Sequence, residues 1–225
     1  MFLENINGPE DIKKLNLEEL KVLADETRSA LINKISKAGG HSGPNLGMVE
    51  VTVALHYVFN SPKDKFVFDV SHQAYPHKIL TGRKEAFTDE TKFKTITGYT
   101  DPKESEHDMF NIGHTSTAIS LASGLAKSRD LKNEKFNVLA VVGDGSLSGG
   151  EALEGLNAVG SELKSNFIVV LNDNDQFISE SHGALSEHLK ELRNAKGDLP
   201  NNIFKCLGFE YIYSSMEEWC KPIKK

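Results

Sequence analysis

Two apolar runs, residues 136–142 and 167–171, flank a stretch that predicts one helix at about residues 149–159. This strand–helix–strand spacing is that of a parallel βαβ unit, and runs so rich in Val, Ile and Leu belong to a sheet covered on both faces. The unit sets the fold class: an α/β domain with a doubly wound, mostly parallel sheet flanked by helices. Ligands of such sheets sit at the carboxyl ends of the strands, so the residues that follow each run carry the chemistry.

The first run leads into Gly143-Asp144-Gly145-Ser146-Leu147-Ser148-Gly149-Gly150 and then a helix start. Glycines there allow a tight turn and close backbone approach, which suits an anion such as a diphosphate. A dinucleotide site would want G-x-G-x-x-G and an acid about 20 residues further on. Here Ser148 takes the last glycine position and Asp173 comes late. Asp144 favours a different reading. A carboxylate beside a diphosphate is repelled by roughly 4 kcal/mol at about 4 Å and an effective dielectric of about 20, unless a divalent cation bridges the two. The second run ends in Leu171-Asn172-Asp173-Asn174, which brings an amide oxygen to the same sheet edge. Asp144, Asn174 and the backbone carbonyl of Gln176 would complete an oxygen-ligand site for Mg²⁺ with diphosphate and water. A serine-hydrolase elbow is not supported, because Leu147 stands where G-x-S-x-G needs Ser.

Elsewhere the chain reads as α/β packing. Asn16 is a helix N-cap ahead of Leu20, Ala24, Thr27, Leu31 and Ile35 on one face, and Gly39-Gly40 stops that helix. Residues 46–59 predict a buried helix, 65–70 a short strand, 118–129 a helix of small residues suited to close packing, and 88–108 a long mobile loop. Among 225 residues, 26 Lys and Arg face 32 Asp and Glu for a net charge of −6. No basic stripe argues for nucleic acid or an anionic membrane as partner. No apolar run approaches a membrane span, no secretory signal is visible, and Cys206 and Cys220 have no CxxC spacing. These features point to a cytoplasmic protein with reduced thiols. His56, His107 and His188 read as surface or satisfied core; His77 reads as packing or capping.

Gly143-Asp144-Gly145 followed by Asn172-Asp173-Asn174 resembles the thiamine-diphosphate motif of transketolase-like enzymes. Further blocks narrow the resemblance to the 1-deoxy-D-xylulose-5-phosphate synthases. They are Ser36-Lys37-Ala38-Gly39-Gly40-His41, Asn45-Leu46-Gly47, His72-Gln73-Ala74-Tyr75-Pro76-His77-Lys78, Glu104-Ser105-Glu106 and Gly113-His114-Thr115-Ser116-Thr117. The resemblance covers roughly residues 1–213, the diphosphate-binding domain, and leaves 214–225 as a divergent tail.

The resemblance implies a transferase that uses thiamine diphosphate and Mg²⁺ in isoprenoid and thiamine precursor synthesis. Pyruvate loses CO₂ and its remaining two carbons join glyceraldehyde 3-phosphate. It implies Asp144, Asn174 and the Gln176 backbone on Mg²⁺, and the backbone N–H groups of Gly145 and Ser146 on the diphosphate. It implies His72 and the Gly113-His114-Thr115 turn at the cofactor and reacting centre, and His41 on the oxygens of the bound intermediate. Imidazole suits such work because it hydrogen-bonds and moves protons near neutral pH. The chain departs from the family at Ser71 and Ser146, which replace Gly and Ala, and at Thr115, which replaces Ser. Asp175-Gln176-Phe177 replaces Glu-Met-Ser. The Ser71 change matters if that position needs φ > 0.

The family enzyme has three domains, and a glutamate on the second pairs with the cofactor's aminopyrimidine. The expectation is therefore a chain inactive alone, joined to a pyrimidine-binding half in a homodimer or hetero-oligomer. Two other readings compete. One is a non-catalytic remnant binding Mg²⁺ and diphosphate weakly or not at all; the other is a dinucleotide-binding protein that takes NAD without metal.

Overall fold

The computed structural model describes residues 1–163, 165–174 and 182–215. In chain order the helices and strands begin with α1 (Pro9–Ile12), α2 (Leu17–Ala38), α3 (Ser42–Leu46), α4 (Val49–Val58) and β1 (Lys65–Phe68). There follow α5 (Tyr75–Lys78), α6 (Glu85–Thr88), α7 (Ala118–Leu131), β2 (Val138–Gly143) and α8 (Asp144–Leu147). The last are α9 (Gly150–Glu162), β3 (Ile168–Asn172), α10 (Ala184–Asn194) and α11 (Ile203–Cys206). Among the described residues the chain forms two compact units, one of residues 1–64 and 71–113, the other of 65–70 and 114–215.

The second unit holds the sheet, with order β1-β2-β3 and both pairings parallel. The fold class is the α/β one that the strand–helix–strand spacing demands. β2 is buried along Val138–Val142, whereas β3, at the sheet edge, is half-buried throughout. Among the described residues, coverage of both faces therefore holds for the central strand and not for β3. α7 packs on β1, β2 and α9. Its small residues Ala118, Ala122 and Ala126 are fully buried. The approach to α9 is close: a β-carbon on Gly155 would lie 2.9 Å from Ile119 Cγ2.

The first unit is helical. Asn16 caps α2 as expected, accepting from Glu18 and Glu19 N–H groups at 3.0 Å each while Glu19 reaches back to the Asn16 N–H. This reciprocal capping box satisfies donors that the first helical turn leaves open. Leu20, Leu23 and Leu31 of α2 form one core with Val49 and Val53 of α4, Ile79, Leu80 and Phe87. The helix expected over 46–59 is α4, which starts three residues later, at Val49. Met48 leaves helical geometry at φ −106°, ψ 2°, separating α3 from α4.

The segment 88–108 has no strand and, after α6, no α-helix, as its turn residues require, and several of its residues are tied to the rest of the first unit. Lys78 Nζ donates to Glu104 at 2.5 Å and to the Thr97 carbonyl at 3.0 Å. Arg83 grips Asp108 through both terminal nitrogens at 2.8 and 2.9 Å. Asp108 also accepts from His77 Nε2 at 3.1 Å, and His77 Nδ1 lies 3.0 Å from His56 Nε2. Because a carboxylate only accepts, proton positions follow: His77 donates from Nε2, its Nδ1 accepts, and His56 donates from Nε2. His56 and His77 are thus fully buried core residues bonded to each other. His107 meets Ser61 Oγ at 2.9 Å, and His188 Nε2 accepts from the Ile203 N–H at 3.2 Å.

Candidate functional site

The two units each carry part of the predicted residue set. In the second, β2 ends at Gly143, which pairs with Asn172 of β3. The register sets Asp144 and Asp173 one step beyond neighbouring parallel strand ends, with Asn174 following. Asp144 is buried, 7% exposed, and starts the α8 turn that carries Gly145 and Ser146. Burial pushes its carboxyl pKa up; the Gly145 N–H opposes this and the negative charge of Asp173 adds to it. Arg193 of α10 pairs with Asp173 and balances that second carboxylate. Nothing in the sequence marked Arg193 for this position.

The 114–117 turn is built on the end of β1. Asp69, fully buried, accepts from the Ser116 and Ala118 N–H groups at 2.9 Å each. Ser116, at φ +71°, donates its hydroxyl to the Ser146 carbonyl at 2.8 Å. The turn holding His114 and Thr115 is thereby tied to the turn holding Asp144, Gly145 and Ser146. The rule that ligands gather after strands could have found Asp69, which directly follows the 65–68 strand. His114 is exposed and its Nδ1 lies 2.7 Å from the Thr115 carbonyl. A carbonyl can only accept, so Nδ1 carries a proton.

In the first unit, His41 and His72 come together, their rings edge to face with centroids 5.3 Å apart. Tyr99 lies 6.1 Å from the His41 ring. α2 is followed by Gly39, φ +76°, and Gly40, φ +136°; a β-carbon on Gly40 would sit 3.1 Å from the Tyr75 ring. Both positions suit only glycine, and they deliver His41 to the start of α3. Gly113 is exposed, with no atom within 4 Å of where a β-carbon would stand. Ser71 has φ +67°, the conformation that makes the family's glycine there understandable. The serine is held by its own hydroxyl, which donates to the Ile112 carbonyl at 2.8 Å and accepts from the Thr100 N–H at 3.0 Å. Gln176 lies outside the described residues.

The donor set suits Mg²⁺. Asp144 offers a buried carboxylate and Asn174 an amide oxygen, with no thiolate or imidazole on the same strand ends. Among the described residues no three His, Cys, Asp or Glu side chains converge to form a metal cage of their own. A Mg²⁺–diphosphate site does not need one, because phosphate oxygens and water complete the octahedron.

A family model described as 1-deoxy-D-xylulose-5-phosphate synthase matches residues 3–199. The chain belongs to that family. It is 53% identical over 194 residues to the 1-deoxy-D-xylulose-5-phosphate synthase of Alkaliphilus oremlandii, covering 86% of this chain and 31% of the relative. The Brevibacillus brevis protein of the same description is 53% identical over 196 residues, with 87% and 31% covered. That of Listeria monocytogenes is 47% identical over 216 residues, with 93% and 35% covered. The chain thus spans about a third of the length of the curated relatives it matches. No helix among the described residues is long and apolar enough to cross a membrane.

Proposed function

We propose that this chain holds the metal and diphosphate of thiamine diphosphate in a transferase that makes 1-deoxy-D-xylulose 5-phosphate and CO₂. Its substrates are pyruvate and glyceraldehyde 3-phosphate, and its product feeds isoprenoid and thiamine precursor synthesis. One observation carries the reading: a buried Asp144 at the end of β2, in register with the Asn172-Asp173-Asn174 end of parallel β3. Asp144, Asn174 and the backbone of Gln176 hold Mg²⁺, whose charge offsets the repulsion between Asp144 and a diphosphate. The backbone N–H groups of Gly145 and Ser146 serve the diphosphate. When bound, thiamine diphosphate supplies the nucleophilic carbon and the electron sink for decarboxylation.

The remaining roles belong to the protein. With Nδ1–H committed to the Thr115 carbonyl, His114 has its Nε2 left for the cofactor and reacting centre. His72 contacts the cofactor and the reacting centre while His41 reaches the oxygens of the bound intermediate, and the two imidazoles hydrogen-bond and move protons there. Gly113 and Thr115 serve the cofactor through backbone and hydroxyl. Residues 1–213 form the diphosphate-binding domain and 214–225 a divergent tail. A pyrimidine-binding region outside this sequence completes the cytoplasmic enzyme, within a homodimer or a hetero-oligomer.

The test is reconstitution. The chain is mixed with the remaining length of a relative such as the Alkaliphilus oremlandii protein, and product is followed with Mg²⁺ and thiamine diphosphate. Product formed only when both parts and Mg²⁺ are present supports the reading. No product with any such part, together with no Mg²⁺-dependent cofactor binding, makes the chain a non-catalytic remnant.

A further inference from the structure

Asn45 lies between the backbones of the two paired histidines, and its side chain is fully buried. Nδ2 donates to the His41 carbonyl at 2.7 Å and to the His72 carbonyl at 2.8 Å. Oδ1 accepts from the Tyr75 N–H at 2.8 Å. The amide orientation is dictated by these partners, since two carbonyls require the NH₂ group and an N–H requires the oxygen. No other side chain of this reach has two donors and an acceptor in one plane. Aspartate would set oxygens against two carbonyl oxygens, serine could serve only one of them, and glutamine is one methylene too long.

We propose that Asn45 is a positioning residue that sets the spacing of His41 and His72, a proposal that rests on the functional reading of those histidines given above. His41 is exposed, has no side-chain cap bond at the start of α3, and meets its partner ring only at an edge. Its placement relative to His72 therefore comes through the backbone, and one amide holds both ends. Tyr75, the third partner, packs its ring against Phe87 and Gly40, which anchors the amide to the core of the unit.

The experiment compares wild type with Asn45→Ala and the milder Asn45→Ser in the 225-residue chain, alone and mixed with the complementary part of a relative. Misplacing a reacting group by about 1 Å costs up to about 100-fold in rate, so Asn45→Ala is expected to lower kcat by about 10- to 100-fold, with Asn45→Ser between it and wild type. KM for both substrates and the affinity for thiamine diphosphate should move less than about threefold, the signature of an effect confined to the reacting step. In histidine-labelled chain, a ring-to-ring nuclear Overhauser effect between His41 and His72 should be present in wild type and absent in Asn45→Ala. The buried His56 and His77 resonances report that the unit is folded. An unchanged kcat, a cofactor affinity that falls as far as kcat does, or a persistent ring contact in the folded variant overturns the proposal. If wild type makes no product in the mixture while the ring contact still depends on Asn45, the functional reading fails and the pinning of the two histidines stands.

Discussion

The hydroxyl oxygen of Ser116 occupies the place where a β-carbon on residue 149 would have to go, 1.9 Å from its ideal position. Gly149 has φ −74°, so it is glycine for space and not for backbone freedom. Gly149→Ala should therefore force the two turns apart and destabilise the fold by about 1–3 kcal/mol, as overpacking does. Ser116 sits at φ +71°, which glycine adopts freely, so adding Ser116→Gly should recover most of the loss. Urea midpoints of the single and double variants check this; a single variant as stable as wild type contradicts it.

Asp69 makes a second prediction. Its two oxygens serve two buried backbone donors, and truncation to Asp69→Ala leaves both without a partner. The expected loss is about 3 kcal/mol, with Asp69→Asn losing less because one carbonyl oxygen still accepts. Chemical denaturation measures it, and a loss under about 1 kcal/mol would show that water or a shifted turn replaces the carboxylate.

The buried His56–His77–Asp108 chain makes stability depend on pH. Burial above all lowers the pKa of both histidines below 6.5, helped at His56 by His77, His107, Lys13 and Arg83 and at His77 by Arg83 and Lys78, though Asp108 opposes it at His77. A folded pKa below the unfolded one means that the unfolded chain takes up protons first. Stability is then full above about pH 6.5 and falls as pH drops below it, by up to about 1.4 kcal/mol for each tenfold by which folding weakens proton binding. Burial alone would raise the Asp108 carboxyl, but hydrogen bonds from His77 and Arg83 overcome it and hold the pKa well below the carboxylate range. Its contribution is present above about pH 4 and disappears only in stronger acid. Denaturant midpoints should fall between pH 7 and pH 5; a flat profile there contradicts the account.

What was legible in the sequence were features with local causes. The apolar runs at 136–142 and 167–171 became β2 and β3, and Asn16 became a cap, because periodicity and capping act within a few residues. Ser71 was suspect only by contrast with a glycine, and its positive φ justifies the suspicion. The network of Lys78, Arg83, Glu104 and Asp108 was not legible. Charges in a turn-rich stretch read as solvated until their partners, twenty or more residues away, fold over them. Arg193, and the bond from Asn45 to His72, were not legible for the same reason: each joins residues twenty or more positions apart.

The central claim is that Asp144 is the protein's carboxylate for Mg²⁺ on a diphosphate. Isothermal titration of thiamine diphosphate into the chain with Mg²⁺, for wild type and Asp144→Ala, tests it most directly. Wild type should bind saturably and lose binding with a chelator, and Asp144→Ala should bind at least roughly 30-fold more weakly, about 2 kcal/mol. The variant should melt no lower than wild type, since it no longer buries a carboxylate beside Asp173. Equal binding by the two proteins, or wild-type binding indifferent to the chelator, would contradict the account.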